Sequence, residues 1–328
     1  MFFNISRTEL SNPKAPASLE RLQSNFDSIF SLYESKIDSK LMSKFSLGFQ
    51  EDTLTDLLMN IIHISSNDAG VPALQRSASK NYIPLGMKFR FSSLGYQLLD
   101  INYEVSYPLS IVLSKKSMTK YQLLFRQLLQ FHVISSQLSH CFNFESICGF
   151  RSLDIKYPSI KTSMIQMHLL KSKMIFFINS FLSYGQFEVI DYHWNDFVYV
   201  FSVERTSDSP LLEFVMNSHS KFLDGCLKDL FLTNWQLYRI ISKILSNCML
   251  FITTCNKISK DLGNISCESL ENEDEIHARV NSLMAKQYAK IDTNFMFHVH
   301  LLIKSLRFCS TTDYDHRIGN LLAFNYFS

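Results

Sequence analysis

A mainly α fold of packed helical bundles, with a small β element near residues 87–113, is what this sequence predicts, and three observations predict it. Apolar residues recur at spacings of three and four through most of the 328 residues, the mark of amphipathic helices. Glycine and proline number only 9 and 7, well below the roughly 7% and 5% of average proteins, which argues against a turn-rich β sandwich. One short stretch, Leu99–Val105, alternates strictly between apolar and polar residues, as a half-buried strand does.

The elements follow in order. Pro16 precedes a helix opening at Ser18, with Leu19, Leu22, Phe26, Ile29, Phe30, Tyr33, Ile37 and Leu41 on one stripe. Asp52 is a plausible N-cap for a second helix carrying Leu54, Leu57, Leu58, Ile61 and Ile62, and the Ser/Asn/Gly-rich Ser65–Asn81 reads as a loop. Met87–Phe91 alternates and is the expected partner of the Leu99–Val105 strand, with Leu109–Leu113 a third short strand beyond Tyr107-Pro108. After Ser114 the helical period returns. Tyr121, Leu124, Phe125, Leu128, Leu129 and His132 share a face, with Lys120, Arg126 and Gln130 off it. Ile160–Tyr184 reads as a helix with Met164, Met167, Lys171, Met174, Ile175, Ile178 and Phe181 on its stripe, and Phe187, Ile190, Trp194, Phe197 and Phe201 as another. Pro210 suits the first turn of the next, above Leu211, Val215, His219, Phe222, Cys226 and Leu230. Thr233-Asn234-Trp235-Gln236 is a capping-box pattern opening a helix to about Lys260, with Gly263 as its stop. The last helix opens on Glu271, Glu273, Asp274 and Glu275 and closes on Lys304 and Arg307, matching the helix dipole.

Composition excludes several classes. With 46% hydrophobic residues the chain has ample core material and is not a disordered one. A net charge of +2 gives no bulk attraction to nucleic acid or membrane surfaces, and neither is expected as a partner. The apolar runs Met174–Ile178 and Met249–Ile252 fall far short of the ~18 residues of a membrane span. Met1–Phe3 leads directly into polar sequence, unlike a secretory signal, so a soluble, intracellular protein is the reading. Seven cysteines without a C-x-x-C pair read as reduced core thiols, not as a zinc site or disulfide framework.

Catalytic machinery is not visible. The sequence holds no phosphate-binding glycine loop, no H-E-x-x-H and no G-x-S-x-G. His298 and His300 are two apart and point to different sides of a helix. His140-Cys141 and the Asp313–His316 turn are too local to build a triad. No cofactor and no metal is expected. The residues alone favour a helical binding or scaffold protein, with an enzyme whose site is assembled from dispersed polar residues as the alternative.

Three segments carry a family resemblance. The first, within Asp100–Arg126, joins an alternating strand, the step Tyr107-Pro108-Leu109, an apolar stretch and Tyr-x-x-x-Phe in a helix. The second is His219–Asn234, HSKFLDGCLKDLFLTN; the third is Ile291–Phe327, with IDTNF, STTDYDH and LLAFNYF. Together they resemble the C-terminal Grip motif of gamma-tubulin complex components, whose usual Trp-Pro-Leu step is Tyr-Pro-Leu here. Order and spacing agree over about Thr53–Phe327.

The resemblance implies helical bundles with a minor β element and a non-enzymatic component that binds gamma-tubulin in microtubule nucleation. It implies residence in the cytoplasm and cytoskeleton, at a microtubule-organising centre such as a spindle pole or centrosome. It further implies gamma-tubulin complex component 3 or other Grip-motif components as partners. On this reading residues 1–50 form an N-terminal helix and the junction with an absent N-terminal half, and 51–328 form the gamma-tubulin-binding domain. Candidate contact residues are Glu104, Tyr107, Lys115, Lys116, Lys120, Arg126, Asp313, Tyr314 and Arg317. Each has a plainer role beside it: the lysines as a solvated helix start, Tyr107-Pro108 as packing for a sheet corner, and Asp313 as a cap on the final helix.

Overall fold

The computed structural model of the chain describes residues 16–31, 44–49, 54, 58, 99–141, 158–203, 211–265 and 273–310. The elements are α1 (Pro16–Ser31), β1 (Phe45–Phe49), β2 (Leu99–Tyr103), α2 (Lys115–His140), α3 (Pro158–Ser183), α4 (Tyr192–Val203), α5 (Leu211–Asp229), α6 (Trp235–Ile265) and α7 (Glu273–Ser310). They form two compact units, one of residues 1–130 and 197–224, the other of residues 131–196 and 225–328. No described helix is long and apolar enough to cross a membrane.

The first unit holds the sheet. β1 pairs antiparallel with β2, Phe45 opposite Tyr103 and Phe49 opposite Leu99, and the Phe45 and Tyr103 rings lie 4.7 Å apart. Leu47 and Leu99 are buried, and Leu22 of α1 is fully so. The Leu47 N–H donates to Gln23 Oε1 at 2.8 Å, which fixes β1 on α1. The partner of β2 is therefore Phe45–Phe49; Met87–Phe91 lies outside the described residues. FSLGF alternates as a strand should, yet its pairing spans more than fifty residues and leaves no local signal. Leu109–Leu113 is not a strand. Residues Leu109–Ile111 form a 3₁₀ turn, in which Ile111, Val112 and Leu113 donate to the carbonyls of Pro108 and Leu109 at 2.9–3.1 Å. Local bonds thus satisfy groups that a strand would have offered to a ladder, and Pro108 has no N–H to give one.

The second unit is a helical core. Phe131 of α2 stacks on Phe181 of α3 at 4.1 Å, and Phe177 of α3 meets Phe295 of α7 edge-on at 6.1 Å. Met174, Ile178, Cys248, Cys255, Val299, Leu302 and Ile303 are buried in the same unit. Cys141, Cys226, Cys248 and Cys255 are buried thiols, none of them in a disulfide. Burial pushes the Cys226 thiol up to about 12, with nearby Asp229 adding to it, so this is a core group and not a nucleophile. Lys171 sits on the apolar stripe of α3 for a reason the spacing does not reveal. Its ammonium donates to the carbonyls of Cys141 at 2.7 Å and Ser139 at 3.3 Å, capping the C-terminus of α2 where the dipole favours a cation.

Two helix ends depart from expectation. Asn234, not Thr233, caps α6: its Oδ1 accepts from the N–H groups of Gln236 at 3.1 Å and Leu237 at 3.4 Å. That helix also runs through Gly263 to Ile265. α5 ends without a glycine. Phe231 takes φ 63°, while Leu232 N–H bonds Leu227 O and Phe231 N–H bonds Lys228 O, both at 3.0 Å, the Schellman pattern. A left-handed non-glycine residue costs about 1–2 kcal/mol. Burying Phe231, which is 2% exposed and stacks with Tyr184 at 6.3 Å, returns about 1.5–3 kcal/mol. Burial wins.

The expected break between Tyr184 and Phe187 is instead a π-helical turn, Tyr184–Asp191, that joins α3 to α4 without a gap. Its aromatic stripe is not a core stripe, because Phe187 and Trp194 are exposed. His193 packs on α5 at Gly225, where a Cβ would lie 2.7 Å from the ring, and its Nε2 is 2.7 Å from Asp229 Oδ2.

Alanine at position 225 would gain helix propensity of about 1 kcal/mol, but only if the ring leaves. We expect Gly225→Ala to leave the melting temperature unchanged or lower in the parent, and to raise it in a His193→Ala background. A thermal-melt double-mutant cycle should give a coupling of about 1 kcal/mol or more.

Candidate interaction surface

The candidate residues that are described lie in the first unit, between β2 and the first turns of α2. Glu104 follows β2, its N–H donating to Lys44 O at 3.1 Å. Lys44 Nζ donates to Ser106 Oγ at 3.0 Å, so the end of β1 holds the segment from a second point. Tyr107 then projects outward at 81% exposure, joined by Leu109 at 50%. It does not pack a sheet corner. Leu109 and Ile111, read from sequence as strand residues, belong instead to this exposed apolar step.

α2 starts immediately beyond. Ser114 Oγ accepts from the Ser117 N–H at 3.3 Å, an N-cap made by a residue type suited to it. Lys115 and Lys116 in the first turn are exposed. Lys120 is engaged within the chain: its ammonium lies 2.6 Å from Asp224 Oδ1 and 3.5 Å from Ser220 Oγ. This contact bridges α2 and α5. Arg126 corrects its expected placement off the apolar stripe, since it is buried at 1% exposure, so it supports this unit from inside. Asp313, Tyr314 and Arg317 lie outside the described residues.

Beside the bridge, Tyr121 and His219 share a 3.0 Å hydrogen bond. The His219 ring is buried and lies 6.3 Å from Phe197 and 6.4 Å from Phe222 by centroids. This matches the structural role its stripe implies. Gln122 extends the anchoring, donating to Asn102 Oδ1 at 2.7 Å and so tying α2 to β2. Among the described residues no three His, Cys, Asp or Glu side chains come together as a metal site.

Burial, and secondarily the Lys120 charge, holds His219 below its ordinary pKa of 6.5. His132 and His298 are lowered too, each chiefly by burial. A histidine kept neutral in the fold gives the unfolded chain the higher proton affinity. Its stability contribution is full above about pH 6.5 and is lost as pH falls from there through the folded-state value. We expect His219→Gln to flatten part of the fall in stability between about pH 7.5 and pH 5.5 in denaturant melts. His219→Ala should cost about 1–3 kcal/mol at neutral pH, because it takes the partner of a half-buried hydroxyl and leaves a gap.

Comparison with known proteins adds to this geometry. The family model described as "Gamma tubulin complex component C-terminal" matches residues 3–327. The chain is 29% identical to Spindle pole body component alp4 of Schizosaccharomyces pombe, over 67% of this chain and 27% of that protein. It is 28% identical to Gamma-tubulin complex component 2 of Arabidopsis thaliana, over 82% of this chain and 35% of that protein. Identity to Gamma-tubulin complex component 2 of Mus musculus is 24%, over 70% and 28%. The chain thus spans about a third or less of the length of these curated relatives.

Proposed function

The chain belongs to the gamma-tubulin complex component family and resembles component 2 among its members, and we propose that it binds gamma-tubulin as a non-enzymatic part of a microtubule-nucleating complex. Its working place is a microtubule-organising centre, and its neighbours are other Grip-motif components, component 3 among them. The observation that carries the reading is the exposed step at Tyr107, on a segment that resembles the family and 81% open to solvent. An exposed aromatic with apolar neighbours and a polar rim has the composition of an interface centre.

Tyr107 anchors the contact in this proposal, with Leu109 and Ile111 beside it and Glu104, Lys115 and Lys116 on the rim. Tubulins are acidic, so the two exposed lysines steer association more than they add affinity. Lys120 and Arg126 serve from within, holding the helix that presents the step. The Asp313–Arg317 segment adds a second contact on the strength of its sequence resemblance. A stable complex needs about 800 Å² from each partner, more than the step supplies alone.

Co-purification of gamma-tubulin with the full chain tests the reading, and a turnover that persists without gamma-tubulin would contradict it. Tyr107→Ala should weaken gamma-tubulin binding by about 30-fold, a hot-spot loss of about 2 kcal/mol. Its melting temperature should not move, because the ring touches little of its own unit. Lys115→Glu with Lys116→Glu should slow association about tenfold at low salt, with the difference shrinking towards physiological ionic strength. Surface plasmon resonance across a salt series reads both effects.

A further inference from the structure

The π-turn and the first residues of α4 have two unlike sides. The inner side is fastened: Tyr184 OH donates to Asp229 O at 3.2 Å, His193 Nε2 meets Asp229 Oδ2 at 2.7 Å, and the Gln186 amide hydrogen-bonds His132 Nε2 at 3.2 Å. The outer side carries Phe187 at 65% exposure, Tyr192 at 56% and Trp194 at 47%. Single exposed apolar residues are ordinary, but three aromatics within eight positions are not. Among them stand the exposed carboxylates Glu188, Asp191 and Asp196. The sequence has no lysine or arginine between Lys173 and Arg205, so this segment is acidic within a chain of net charge +2.

We propose that this face docks a basic amphipathic helix of a protein partner. Sign decides the class of partner. Three carboxylates repel phosphate, which disfavours nucleic acid and anionic lipid, and they also repel the acidic body of a tubulin. The aromatic faces attract lysine and arginine cations while their apolar area takes the leucine-like stripe of a helix. The face is therefore assigned to a partner other than the one engaged by Tyr107, Lys115 and Lys116. The π-turn belongs to the device: such turns occur often at functional sites, and here its inner bonds fix which residues face outward.

The probes are three synthetic peptides of about 18 residues, five helical turns. One has leucines at helical i, i+3, i+4, i+7 spacing on a lysine background, one has the same pattern on glutamate, and one has the lysine composition with leucines dispersed around the helix. They are titrated into the full chain carrying Trp235→Phe, so that Trp194, the remaining tryptophan of two, reports binding. The patterned lysine peptide should bind about tenfold or more tighter than either control. Asp191→Lys with Asp196→Lys should invert the preference towards the glutamate peptide, and Phe187→Ser with Tyr192→Ser should weaken binding at an unchanged melting temperature. Equal binding of the three peptides, insensitivity to the charge reversal, or a silent Trp194 would overturn the proposal. Gamma-tubulin capture should survive the charge reversal. Its loss together with peptide binding would contradict a separate partner, whereas failure of gamma-tubulin binding by the parent chain would strike the proposed function alone.

Discussion

Two contacts between α2 and α5 govern where the candidate surface stands. Lys120 bridges Asp224 at 2.6 Å, and one residue on, Tyr121 bonds His219 at 3.0 Å. They are not equal. The bridge is partly exposed, with the side chains 26% and 59% open, so it contributes about 1 kcal/mol at most. The tyrosine–histidine bond is made by a buried imidazole among rings, where an unmet partner would cost more. The histidine therefore carries the stability and the lysine the alignment. The candidate step is tied to the same helix, because Ser114 caps α2, the 3₁₀ turn leads into that cap, and Gln122 bonds β2.

Charge is segregated along the chain in a way that its near-neutral total conceals. Lys115 and Lys116 lead α2 with no carboxylate between them and Glu145 in the sequence. Residues 174–204 hold carboxylates and no lysine or arginine. At physiological ionic strength the Debye length is about 8 Å, so a partner senses the local patch more than the sum. Basic and acidic patches on one chain allow it to engage partners of opposite charge. That suits the proposed role in an assembly.

Much of the helical architecture was legible because amphipathic spacing is a local property. The stripes of α3, α5 and α7 are buried as their periods require: Met174, Ile178 and Phe181; His219, Phe222 and Cys226; Phe295, Leu302 and Leu306. Long-range packing decided most of the misreadings, and local bonding the one at Leu109–Leu113. β2 was readable but its partner Phe45–Phe49 was not, since pairing between residues so far apart in sequence leaves no periodic trace. Leu109–Leu113 looked like a strand because short apolar runs are ambiguous. Arg126 looked exposed because its charge outweighed its long apolar stem in the reading, yet it is buried. Phe231 occupies a left-handed position where sequence logic looks for glycine, and only its burial explains it. At the candidate surface, Tyr107 and the lysine pair were legible from the resemblance, whereas Lys44 and the engagement of Lys120 required the structure.

The central claim is that the step at Tyr107 touches gamma-tubulin. The most direct measurement places a photo-crosslinking amino acid at position 107 of the full chain and irradiates it with purified gamma-tubulin, with position 187 as the comparison. The account predicts a gamma-tubulin adduct from position 107 and none from position 187. Co-purification of gamma-tubulin without an adduct from position 107 would contradict it, and would move the binding surface elsewhere on the chain.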